Sequence, residues 1–239
     1  MNQFLKSKTA VVTGGTRGIG LEIARALGRA GASVAICGRS QASLDRAVDQ
    51  LKTDTGAHIC GCLCDVSNRE AVRRFFGLVD RELGGCDIVV NNAGVGVFAP
   101  VREMDPADWE RVIGTNLTGV FHCCQEALAR FEKRGGGFLI QIGSLAGKNP
   151  FAGGAAYNAS KFGLNGFAEA MMLDHRHDKV RVCTIMPGSV NTEFSPRSQK
   201  ADWKIAPEDV AEIVLAVLRM PERTLISSVE VRPSRPGKS

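Results

Sequence analysis

The sequence predicts a single doubly wound α/β domain spanning residues 1–239, with a seven-stranded parallel sheet flanked by helices. Three observations predict it. Short β-rich runs alternate with longer helical patterns from one end to the other, and such alternation implies parallel strands joined by helical crossovers. A glycine-rich turn joins the first strand to the first helix. No Pro/Gly/Ser linker and no repeat divides the chain, and a length of 239 residues buries a full core within one domain.

Taken in order, the strands are expected near residues 9–12, 33–37, 58–63, 88–91, 137–142, 180–186 and 224–231. Each is a short apolar or β-branched run, as in Ile88-Val89-Val90 or Val180-Arg181-Val182, which suits strands in a sheet covered on both faces. Helices are expected near 18–30, 41–53, 69–83, 106–134, 155–175 and 207–218. The architecture is Rossmann-like. Residues 188–206, with Phe194, Pro196, Arg197, Lys200 and Trp203, lack periodicity, and a long structureless segment in a compact domain is usually functional, so a lid is expected there. The tail 233–239 is expected to be flexible.

Hydrophobic residues at 44% and charged residues at 23% are ordinary globular usage. The longest apolar stretch, Ile213 to Leu218, is too short to span a membrane, and the first strand begins too early to leave room for a leader. Cytoplasmic residence is the expectation. The net charge of +5 comes from scattered basic residues, dense only at Arg232-Pro233-Ser234-Arg235-Pro236-Gly237-Lys238, so no nucleic-acid partner is expected. Cys60, Cys62 and Cys64 alternate along one face of a strand, too far apart for tetrahedral zinc, and all eight cysteines read as reduced packing thiols with no metal.

Gly14, Gly18 and Gly20, with Thr16, Arg17 and Ile19 between them, stand where the chain leaves a strand to open a helix. Glycines there permit a tight turn and let backbone N–H groups approach a pyrophosphate at the helix N-terminus. After the second strand, Arg39 and Ser40 replace the acidic residue that would bind the ribose of NAD. With no carboxylate to repel it, a 2′-phosphate can pair with Arg39 and be approached by Arg17, so NADP is favoured over NAD. Asp65 and Val66 end the third strand and Asn92, Ala93 and Gly94 follow the fourth, at the strand ends where open α/β sheets bind ligands.

Tyr157, the only tyrosine, precedes Lys161 by four positions, so phenol and ammonium lie on one helical face. A nearby cation is expected to lower the phenol's pKa and prepare it for proton transfer near neutrality. Ser144 lies thirteen positions upstream, and Asn116 interrupts the apolar run Val112-Ile113-Gly114-Thr115-Asn116-Leu117, where a buried amide is costly unless bonded.

Thr13-Gly14-x-x-x-Gly18-x-Gly20, Asn91-Asn92-Ala93-Gly94, Asn116, Ser144, Tyr157-x-x-x-Lys161 and Pro187-Gly188 occur in the order and spacing that resemble the classical short-chain dehydrogenase/reductase family. The resemblance implies catalysis by Asn116, Ser144, Tyr157 and Lys161. Tyr157 would exchange a proton with the substrate oxygen, Lys161 would lower its pKa and hold the nicotinamide ribose, and Ser144 would polarise the carbonyl. Asn116 would open its helix to hold a water on the proton path to Lys161. Pro187, Gly188, Val190 and Thr192 would wrap the cofactor, Asp65 and Val66 would contact adenine, and Asn92, Ala93 and Gly94 the adenosine ribose. The substrate would sit among Val95, Phe98, Ser144, Leu145, Phe151, Tyr157 and Phe194, an apolar wall suited to an acyl, alicyclic or aromatic ketone. The resemblance extends to 3-oxoacyl-[acyl-carrier-protein] reductase-like members, but where those end in a glycine-rich segment this chain has Val231-Arg232-Pro233-Ser234. NADPH-linked reduction of a ketone or 3-oxoacyl thioester is the expected activity, with NADP-linked oxidation of a sterol, sugar-derived or aromatic alcohol and non-catalytic sensing of NADPH as the alternatives. A homodimer or homotetramer is the expected assembly.

Overall fold

The computed structural model describes residues 3–194 and 201–237. The seven strands are β1 (Thr9–Thr13), β2 (Ser33–Gly38), β3 (Ile59–Leu63), β4 (Ile88–Asn91), β5 (Gly137–Ile142), β6 (Val180–Pro187) and β7 (Ser228–Val231). They form one sheet in the order β3-β2-β1-β4-β5-β6-β7, and every neighbouring pair is parallel. The chain winds outward from β1 to β3, then returns to lay β4 on the other side of β1. At that reversal the crossovers leave in opposite directions and open a crevice at the carboxyl ends of the strands.

The helices are α1 (Gly18–Arg29), α2 (Gln41–Thr55), α3 (Arg69–Leu83), α4 (Pro106–Ile113), α5 (Gly119–Arg134), α6 (Ala155–His175) and α7 (Pro207–Leu218). One core layer joins Ile23 and Leu27 of α1, Leu51 of α2 and Val214 of α7 to Val12, Ile36 and Ile140 of the sheet. The other joins Phe75 and Phe76 of α3, Phe131 of α5 and Leu164 of α6 to Val11, Ala35 and Leu139. Adjacent strand residues such as Val11 and Val12 thus serve opposite layers, as the two-residue period of a strand requires. Full burial of each of these phenylalanines contributes about 2–3 kcal/mol.

Two elements differ from the sequence expectation. Residues 106–134 are helical throughout, but a π-helical turn over Gly114–Thr118 interrupts the α-helical ladder between α4 and α5. Residues 224–227 precede β7 rather than belong to it, because Thr224 N–H closes a turn on the Pro221 carbonyl at 2.8 Å. The expected lid residues Pro196, Arg197 and Lys200 lie outside the described residues, as do the last two residues of the tail. Around them, Val190 and Ile205 form an isolated parallel bridge that pins the two ends of the segment together.

All eight cysteines are free. Burial pushes the thiols of Cys86, Cys124 and Cys183 up to about 12, which leaves them protonated and unreactive at neutral pH. Cys60 and Cys62 are only half-buried, because β3 is the edge of the sheet. Among the described residues no group of His, Cys, Asp or Glu could hold a metal ion, and no helix is long and apolar enough to cross a membrane.

Candidate active site

A cleft of about 1200 Å³ runs along the carboxyl ends of the strands. It is lined by Gly14, Thr16, Arg17, Gly18, Ile19, Gly20, Arg39, Ser40, Asp65, Val66, Asn92, Ala93 and Gly94 at one end and by Ser144, Leu145, Phe151, Tyr157, Lys161, Pro187, Gly188, Val190, Thr192 and Phe194 at the other. The fold therefore gathers every expected contact residue into one cavity except Asn116, which lies behind its wall.

The glycine turn is built for close approach. Gly14 has φ +64°, in the region that side chains disfavour, and a Cβ there would stand 3.0 Å from the Ala93 Cα. A Cβ on Gly20 would collide with the Gly14 carbonyl oxygen and the Asn92 amide. Thr13 and Asn92 hold the turn against β4. The Asn92 and Ala93 N–H groups each donate to Thr13 Oγ1 at 3.0 Å, and Asn92 Nδ2 donates to the carbonyls of Thr13 and Gly14 at 3.0 and 3.1 Å. The Asn92 amide nitrogen is thus occupied within the protein, and this residue contributes to the cavity as part of its floor. Gly20→Ala is expected to destabilise the fold by about 1–3 kcal/mol, because the added methyl meets backbone that cannot yield. Urea unfolding checks this, and a variant as stable as the native chain would contradict the packing described.

The first turn of α1 carries no acidic residue, so its N–H groups and the positive end of its dipole face the cleft uncompensated. Arg17 stands at the start of that helix, and the exposed Arg39 and Ser40 follow β2 on the same wall. These features fit the pyrophosphate of a dinucleotide: a glycine cradle at a helix N-terminus with two arginines on the same wall. Asp65 accepts hydrogen bonds from the Ser67 N–H at 3.0 Å and the Ser67 hydroxyl at 2.7 Å, which fixes the turn after β3.

At the other end, Ser144 follows β5 and starts a short 3-10 turn, Leu145–Gly147, its Oγ accepting from the Ala146 N–H at 3.1 Å. Tyr157 and Lys161 lie in the first two turns of α6. The Ser144 side chain lies beside the Tyr157 hydroxyl. The Lys161 Nζ donates to the Ile142 carbonyl at 2.8 Å and sits 5.8 Å from the Tyr157 ring centroid.

The electrostatics correct the expectation that Lys161 lowers the phenol's pKa. Burial raises Tyr157, and the Ser144 side chain only partly opposes it. Lys161, only 5% exposed, is itself pulled down to about 8 by burial. Spacing brings the two groups together, but withdrawal from water disfavours the charged form of each and is the main cause of both shifts. The folded value for Lys161 lies below the ordinary 10.5, so the unfolded chain keeps a proton that the folded one releases between them. This group's penalty is therefore full below about pH 8, and stability rises as pH increases from there, by about 3 kcal/mol in all. The stability advantage of Lys161→Met over the native chain should shrink by roughly that amount from pH 7 to about pH 10. Urea unfolding at both pH values measures it, and a pH-independent difference would contradict a buried, uncompensated ammonium.

Asn116 is 1% exposed and sits in the π-helical turn. Its Oδ1 accepts from Val95 N–H at 2.8 Å, and its Nδ2 donates to the Val95 carbonyl at 2.9 Å and to Ser160 Oγ at 3.1 Å. Ser160 Oγ donates in turn to the Tyr157 carbonyl at 2.7 Å. The side chain therefore ties the loop after β4 to the helix of Tyr157, and the π-helical turn that carries it loosens the α-helical ladder there.

Phe98 and Phe194 pack against the Tyr157 ring, and Phe151 packs on Phe98. The centroid distances Phe98–Tyr157, Tyr157–Phe194 and Phe98–Phe151 are each 5.7 Å. These three phenylalanines are 42%, 46% and 41% exposed, so the cleft presents uncovered aromatic surface beside the hydroxyl. Such a wall gains by burying an apolar ligand. Trp203, Arg232, Pro233 and Pro236 also line the cleft and were not anticipated as site residues. For Trp203 the signal in the sequence was the aperiodic segment 188–206, and for the other three it was the departure from a glycine-rich ending after Val231.

The sequence profile described as short chain dehydrogenase matches residues 8–203. An uncharacterized oxidoreductase of Staphylococcus aureus (strain USA300) is 31% identical over 230 residues, covering 96% of this chain and 98% of its own. Among solved structures, an alcohol dehydrogenase from the archaeon Thermococcus sibiricus complexed with 5-hydroxy-NADP superposes with a TM-score of 0.90 at 29% identity, over 97% of this chain and 99% of that one. A metagenomic short-chain oxidoreductase in complex with NADP has a TM-score of 0.86 at 36% identity, with the same coverage.

Proposed function

Because the chain belongs to the short chain dehydrogenase family, we propose that it is an NADPH-dependent carbonyl reductase that transfers hydride to a ketone, 3-oxoacyl thioesters among them. One observation carries this reading. The Ser144–Tyr157 hydroxyl pair, with Lys161 beside it, stands at the aromatic end of the same cleft whose other end carries Arg17 and Arg39 at a glycine turn. Bound NADPH would supply the hydride and rest on the glycine turn, with Arg17 and Arg39 toward its 2′-phosphate and Pro187, Gly188, Val190 and Thr192 along its other end.

The substrate oxygen would accept hydrogen bonds from Ser144 and Tyr157. As hydride reaches the carbonyl carbon, the oxygen gains negative charge and takes the Tyr157 proton, giving an alcohol and a phenolate that solvent reprotonates. Tyr157 stays protonated through neutral pH, as its role as proton donor to the carbonyl oxygen requires. Asn116 keeps Val95 and α6 in register around the site. Cytoplasmic residence and assembly as a homodimer or homotetramer complete the reading, and the exposed Phe121, Phe162 and Leu173 on α5 and α6 support the assembly. A ketone and alcohol panel assayed in both directions with NADPH and NADH tests the function. Ketone reduction with NADPH should persist through neutral pH, whereas alcohol oxidation should grow as pH rises. Oxidation that dominates at pH 7 would overturn the assigned direction.

A further inference from the structure

We propose that the C-terminal segment 232–237 is a wall of the substrate end of the cleft and selects bulky, apolar ketones over small ones. The reaction used to read it rests on the carbonyl-reductase function above. The foot of the segment is fixed to the catalytic loops. Val231 ends the last strand with its carbonyl accepting from Gly188 N–H at 2.8 Å. Glu230 takes Lys148 at 2.8 Å and Arg232 at 2.8 Å, which joins the tail to the loop that begins at Ser144. Such exposed ion pairs add little stability, so their effect here is on position.

Beyond that foot, the segment turns over the cleft. A Cβ on Gly188 would stand 3.0 Å from Leu145 Cδ1 and 3.4 Å from Pro233 Cδ, so Leu145 and Pro233 converge on one point of the wall. Farther on, a Cβ on Gly237 would lie 3.1 Å from the Trp203 indole nitrogen, and both Trp203 and Pro236 face the cavity. Two pyrrolidine rings and an indole offer apolar surface, and proline fixes φ at two of the six positions. A small ketone held at Ser144 and Tyr157 would not need this surface. A fused-ring or aryl ketone would cover it, and the chemistry of the wall calls for that class.

The test compares the native protein with a chain ended after Arg232 and, in case that chain fails to fold, with Pro236→Gly. A fused-ring ketone and a small aliphatic ketone serve as substrates. The KM for the fused-ring ketone should rise about tenfold on truncation and less for Pro236→Gly, with kcat, the KM for the small ketone and the NADPH Kd held within a factor of about two. Equal changes for both ketones, no change for either, or a parallel loss of NADPH affinity would overturn the wall. Binding of the fused-ring ketone with oxidised cofactor present, followed by tryptophan fluorescence, reads the same effect without turnover. A native protein that reduces neither ketone contradicts the function, while binding that truncation leaves unchanged contradicts the wall.

Discussion

Tyr157→Phe is expected to lower kcat for ketone reduction by about three orders of magnitude, within the span attributed to general acid catalysis. The substitution removes one oxygen and keeps the ring. The ring's contacts with Phe98 and Phe194 at 5.7 Å would persist, so the aromatic end of the cleft keeps its shape. What is lost is the hydroxyl beside Ser144 and the proton that the carbonyl oxygen must receive. Since the glycine turn and the two arginines lie at the opposite end, NADPH should bind within a factor of about two of native. Stopped-flow reduction and fluorescence titration separate the two effects, and near-native turnover would remove Tyr157 from the mechanism.

Arg39→Asp is expected to weaken NADPH binding by about 10- to 100-fold and leave NADH binding unchanged or improved. A charge-assisted hydrogen bond to phosphate contributes about 1.5–3 kcal/mol, and the new carboxylate adds repulsion. Arg39 is exposed, and solvent screening keeps the effect toward the lower part of that range. Arg17 remains on the same wall, so some preference for the phosphorylated cofactor should survive. Dissociation constants for both cofactors decide the matter, and an unchanged ratio would remove Arg39 from 2′-phosphate recognition.

The alternation of elements made the sheet legible, because continuous apolar strands such as Ile88-Val89-Val90 leave a parallel sheet covered on both faces as the economical arrangement. The carboxyl-end rule then placed Asp65 and Asn92 on one side of the sheet. Spacing on a helix put Tyr157 and Lys161 together, since residues four apart share a face. It said nothing of how far both would be withdrawn from water, and that withdrawal decided the sign of the Tyr157 shift. Asn116 shows the same limit. Its position in an apolar run announced a bonded amide, but its partners Val95 and Ser160 lie 21 and 44 residues away. The role of Pro233 and Pro236 depends on the tail folding back onto Trp203, a tertiary contact with no local pattern to announce it.

The central claim is hydride transfer from NADPH to a carbonyl carbon in the cleft beside Tyr157. The most direct measurement supplies NADPH deuterated at the transferable position of its nicotinamide ring together with an aryl or fused-ring ketone, and analyses the alcohol by mass spectrometry. The account predicts an alcohol carrying a single deuterium on its carbinol carbon, formed by the native protein and nearly absent with Tyr157→Phe. Folded protein that binds NADPH yet yields no deuterated alcohol from any ketone in the panel would contradict it.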